Sequence, residues 1–208
     1  MTDDQIQSLK DDIAFMKALA QEGRRTPLLG GSVLVSAGLI FGFASLGHWA
    51  ITADVLAVPG YWLAVLWTIA TVAFAIALYV LSGRVARKPG AGSPANQAAN
   101  AAWAGVGGAV FTLGVALVLI SIRLQTEIFS VVIPSLIFAL YGAAWVVSGS
   151  MARKVWVNWV GYGCWAAAVF VAFFAGDTAQ YLIYALCFVF FVTVPGLVLM
   201  REEPSDIV

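Results

Sequence analysis

Six apolar runs, none with an Asp, Glu, Lys or Arg in its middle, limit what this chain can fold into more than any other feature. They cover residues 28–48, 61–81, 102–122, 128–148, 155–175 and 181–200. Each is close to the ~20 residues that carry a helix across a ~30 Å hydrocarbon core. Backbone N–H and C=O groups find no water there, so each run has to satisfy them internally, as helix. A transmembrane barrel would need segments of about ten residues alternating in polarity, and these runs do not alternate. Charged residues make up 11% of the chain, against roughly 25% in a soluble domain, which is too little to wet the surface of a globule. The expected fold class is therefore all-α. It is a polytopic six-helix transmembrane bundle over residues 26–208, preceded by a cytoplasmic amphipathic helix over 1–25.

The basic residues orient the bundle. Lys10, Lys17, Arg24 and Arg25 precede the first run, Arg84, Arg87 and Lys88 follow the second, Arg153 and Lys154 follow the fourth, and Arg201 follows the sixth. All of these fall on one side of an alternating six-span arrangement, and Arg123 alone falls on the other. Short cytoplasmic segments carry the excess of Lys and Arg, so both termini are expected in the cytoplasm. A cell membrane is the expected location, with the bacterial inner membrane as the specific assignment. The formal net charge is zero, which argues against nucleic acid and leaves membrane lipid as the first partner.

The segment 1–25 is the one substantial polar region. Thr2 and Gln5 form a capping box, and Asp3 and Asp4 sit in the first turn, where the helix dipole favours acids. Ile6, Leu9, Ile13, Met16 and Leu19 recur at helical spacing and form a candidate interaction face. Lys10 and Lys17 are outnumbered by Asp3, Asp4, Asp11, Asp12 and Glu22, so attraction to anionic lipid is weak. The stripe can pack on the chain's own helices, pair with another protein or a second copy, or lie on the membrane. Arg24-Arg25 and the run behind them resemble an export signal, but the run is too long for one and a helix precedes it.

One stretch occurs twice. Tyr79-Val-Leu-Ser-Gly-Arg-Val-Ala-Arg-Lys88 returns as Trp145-Val-Val-Ser-Gly-Ser-Met-Ala-Arg-Lys154, each copy closing an even-numbered run. With glycine and alanine concentrated in the odd runs, the echo suggests antiparallel helix hairpins repeated in one orientation. The third hairpin ends in Arg201-Glu202-Glu203, where the basic cluster has decayed. Residues 89–101, rich in Pro, Gly, Ala and Asn, read as a flexible cytoplasmic linker.

The absence of intramembrane charge bears on function. Ion-coupled transporters, proton pumps and intramembrane hydrolases generally need an ionisable group in the low-dielectric region. His48, the sole histidine, can supply neither two haem ligands nor a zinc site, and Cys164 and Cys187 lie within apolar runs as small hydrophobes. No catalytic residue, metal site or cofactor is expected, and the chain does not read as an enzyme. Gly38-x-x-x-Gly42 in the first run is a candidate helix-packing site, within the chain or between copies. Pro134 and Pro195 should bend the fourth and sixth helices, and Trp165 and Pro195 are candidates for lining a cavity or kink. The function these features favour is a small membrane scaffold or accessory subunit. Its partner, or a second copy, would bind through the N-terminal helix or the first span. The alternative is a transporter or channel for an apolar, weakly polar or lipid-like solute.

Overall fold

The computed structural model describes Gln7, Lys10, Asp12, Ile13 and residues 27–204. Six long apolar helices run through the described residues, with no strand among them: α1 (Gly31–Thr52), α2 (Trp62–Val85), α3 (Pro94–Leu124), α4 (Ile128–Ala152), α5 (Val155–Phe173) and α6 (Ala179–Glu202). The chain is an all-α polytopic membrane protein. The N-terminal stripe falls mostly outside the described residues. Ile13 is helical and 54% exposed, while Ile6, Leu9, Met16 and Leu19 lie outside them.

Residues 94–101, expected to be linker, are instead the first two turns of α3. Ser93 and Pro94 explain this: the Ser93 hydroxyl accepts the Asn96 N–H at 3.3 Å, and proline at the first helical position gives up an N–H that would have had no partner. The helix reaches 31 residues, about 46 Å at 1.5 Å per residue, well beyond the hydrocarbon core.

Two trios make up the bundle. α2 packs on α1 and α1 on α6; α3 packs on α4 and α4 on α5. The first two expected hairpins, α1–α2 and α3–α4, are therefore packed pairs. The third is not, because α6 lies mainly along α1 and touches α5 only lightly. The trios meet where Phe138 of α4 inserts among Tyr184, Phe188 and Phe191 of α6, with ring centroids 5.4–6.4 Å apart.

Close approach in lipid rests on van der Waals packing rather than water exclusion, so small residues decide which faces meet. α4 and α5 show this at three levels. A Cβ at Gly142 would meet the Trp165 ring at 2.3 Å, one at Gly161 would meet Val146 at 2.7 Å, and one at Gly149 would meet Asn158 at 2.2 Å. The turn between these helices is tight. Arg153 takes the left-handed conformation (φ 54°) and the Lys154 N–H returns to the Gly149 carbonyl at 2.9 Å.

Candidate functional site

α6 touches both trios, and its three levels carry the polar chemistry of the bundle. At the end away from the basic residues, Pro134 has no N–H, so the Ser130 carbonyl one turn earlier in α4 lacks its helical donor. The Tyr181 hydroxyl supplies one at 2.9 Å, and the Gln180 amide donates to the Val131 carbonyl at 2.8 Å. The Tyr181 ring stacks on His48 of α1, with centroids 3.4 Å apart and planes 8° apart. His48 Nδ1 in turn accepts the indole N–H of Trp67 on α2 at 3.0 Å. That acceptor role places the imidazole proton on Nε2. His48 is thus a buried junction of α1, α2 and α6.

Midway along, α6 widens into a π-helical turn at Val189–Thr193, with Pro195 two residues beyond it. This is where Gly38 is placed: a Cβ there would meet Thr193 Oγ1 at 2.2 Å and its backbone N at 2.8 Å. Gly42 faces Phe188 and Ala185 at 3.6 Å and beyond, an ordinary contact. The two glycines therefore lie on one α1–α6 interface with very different clearance. The Thr193 hydroxyl is buried without a hydrogen-bond partner. Trp165 lies elsewhere, on α5, over Gly142; its Nε1 donates to the Ala139 carbonyl at 3.0 Å and the side chain is 42% exposed.

The basic end is the most heavily bonded level. Glu203 follows α6 with its side chain only 1% exposed. One carboxylate oxygen accepts the Gly30 and Gly31 N–H groups at 2.9 and 2.7 Å, filling the amide-rich start of α1. The other oxygen pairs with Lys88 Nζ at 2.6 Å. Its neighbour Glu202 pairs with Lys154. The two lysines that close the echoed stretches, one from each trio, are thus met by consecutive glutamates at the end of α6. Beneath this clasp, buried Asn96 accepts the Leu29 N–H at 2.9 Å and donates to the carbonyls of Pro27 and Gly90 at 3.0 and 2.9 Å. It ties the entry to α1 to the α2–α3 turn.

Two shallow hollows mark the surface. One, of about 260 Å³, runs between α3 and α4 over Gly105, Ala109, Ala143 and Ala144. The other, of about 390 Å³, lies at the basic end of α2 beside Tyr79, Gly83, Arg84 and Arg87. Among the described residues, no three His, Cys, Asp or Glu side chains gather to hold a metal ion, and Cys164 and Cys187 are free thiols.

No family model, curated protein or solved structure matches the chain. The functional reading therefore rests on the geometry of the bundle itself.

The residues that escaped the sequence reading each left a trace in it. Glu202 and Glu203 end the last apolar helix at the same end as two otherwise unpaired lysines. Asn96 follows a Ser-Pro pair that announces a helix start. His48 and Trp67 share an end in the alternating topology, but nothing in their spacing says that their rings meet.

Proposed function

We propose that the chain is a small integral membrane scaffold or accessory subunit, with both termini cytoplasmic, that binds another transmembrane helix on its α3–α4 face. The observation carrying this reading is the surface of α3. Of its 31 residues only Asn96, Ala99 and Val106 are buried. A Cβ at Gly105, Gly107, Gly108 or Gly114 would meet nothing within 4 Å. A helix that faces only acyl chains has no use for so many glycines, which cost about 0.8–1 kcal/mol each relative to alanine. Small residues let a second backbone approach closely, and the hollow over Gly105 and Ala109 leaves room for its side chains. The segment 1–25 is a further contact for a cytoplasmic or membrane partner. The bacterial inner membrane suits the segregation of basic residues. Within this reading α1–α2 and α3–α4 are two copies of a duplicated hairpin, as their packing and their echoed ends support.

Native mass spectrometry from a mild detergent tests the reading. The wild-type chain is expected to retain a second copy or a partner subunit, and Gly105→Leu with Ala109→Leu, which fills the hollow, is expected to release it while the bundle stays folded. A wild-type chain that leaves the membrane with lipid alone would exclude the scaffold.

The second reading, a carrier for an apolar or weakly polar solute, is favoured by one observation. The π turn of α6 interrupts a spanning helix near its middle and leaves the Thr193 hydroxyl buried without a partner, and helices interrupted at that depth line substrate paths in transporters.

A further inference from the structure

We propose that the part of α6 beyond its π turn is a hinged latch arm, held shut by the Lys88–Glu203 and Lys154–Glu202 pairs, whose release lets the arm swing away from α1 at the basic end. The inference does not depend on the scaffold reading.

Three features of α6 lead there. Its first half is fixed by uncharged contacts from three helices: the Tyr181 and Gln180 bonds to α4, the stacking on His48 of α1, and Trp67 of α2 behind that histidine. At mid-length the regular hydrogen-bond ladder is broken twice in succession, by the π turn at Val189–Thr193 and by Pro195, which has no N–H to return. A helix bends where its ladder is broken.

Beyond that point α6 lies close against α1. A Cβ at Gly31 would meet the Gly196 carbonyl at 2.6 Å, and one at Gly196 would meet Leu34 Cβ and the Val35 N at 3.0 Å. The Met200 side chain lies over Gly31 and the Val35 side chain over Gly196, so opening has to part this close contact as well as the ion pairs. Finally, the tip is held by ion pairs. The two pairs found among the described residues are both at this tip, one to each trio. An arm anchored at one end, jointed in the middle and tied by ions at its tip can let go from the tip inward.

Opening carries Glu203 away from the Gly30 and Gly31 N–H groups and uncovers Leu199, which is 2% exposed when the latch is shut. It leaves the Tyr181–His48 junction intact.

Distance measurement between paired spin labels tests this in the full chain reconstituted into lipid nanodiscs, with Cys164 and Cys187 replaced by alanine. One pair, at Ala86 and Arg201, reports the arm; a second pair, at Val58 and Thr178, reports the opposite end. In the otherwise unaltered chain both pairs are expected to give one distance each. With Lys88→Met and Lys154→Met, the arm pair is expected to gain a second distance longer by about 5 Å or more, the scale of an element moving one helical turn, while the other pair stays fixed. Glu202→Gln with Glu203→Gln keeps the shape of the tip and is expected to give the same shift, which covers the case in which the methionine chain does not fold. Deleting Phe190 from the π turn of the Lys88→Met, Lys154→Met chain removes the extra residue and should abolish the longer distance. An arm distance unchanged in both charge variants would overturn the latch. Broadening of both label pairs together would overturn it too, because the whole bundle would then be loosening. A longer distance that survives the Phe190 deletion would overturn the hinge.

Discussion

Gly38 and Gly42 look interchangeable in the sequence, two small residues one turn apart on one helix. Their clearances separate them: an added methyl at Gly38 runs into Thr193 side chain and backbone, whereas at Gly42 it reaches ordinary van der Waals distance. Gly38→Ala is accordingly expected to cost about 1–3 kcal/mol through overpacking. Gly42→Ala is expected to be neutral or to stabilise by up to about 1 kcal/mol, since alanine is the better helix former. Reversible unfolding of each variant in mixed detergent micelles measures both, and equal losses would contradict the placement of α1 against the π turn. The spacing of the glycines was legible in the sequence. What was not legible is that the facing helix carries an extra residue per turn at that level, which pushes Thr193 toward one glycine and not the other.

At the scale of the element, α6 shows where reading from sequence stops. Its length and apolar character follow from its composition, and Pro195 falls just beyond the π turn. Its neighbours do not follow, because chain order favours α5 and packing favours α1. The small faces of Gly31, Gly38 and Gly42 offer α6 a closer approach than α5 does. The two glutamates at its end also differ despite being adjacent. Glu203 is almost wholly buried and accepts two backbone N–H groups besides Lys88, whereas the Glu202 side chain is 38% exposed. Glu203→Ala strands those donors and is expected to cost about 2–4 kcal/mol. Glu202→Ala is expected to cost less than about 1 kcal/mol. The same unfolding measurement decides, and a larger loss for Glu202→Ala would show that the clasp is held at the α5 side instead.

Across the whole molecule, six spans and the segregation of charge could be read from runs and basic residues alone, because the bilayer imposes length and helicity on any chain that crosses it. The division into two trios could not, since it is set by side chains such as Phe138 and by carbonyls that prolines release, which appear only when the helices are placed. That division leaves α2 and α3 each packed mainly on one neighbour, with much of their surface outward. α2 presents Ile69, Val72 and Ile76 outward, as suits lipid, while α3 presents Gly105, Gly107, Gly108 and Gly114 among apolar side chains such as Phe111 and Leu119. The central claim, that α3 receives another helix, is tested most directly by photo-crosslinking in native membranes. A photoreactive side chain at Gly105 is expected to yield a discrete adduct with a second copy or one partner protein, and the same group at Ile69 is expected to capture only lipid. Lipid adducts alone from Gly105, matching those from Ile69, would contradict the account.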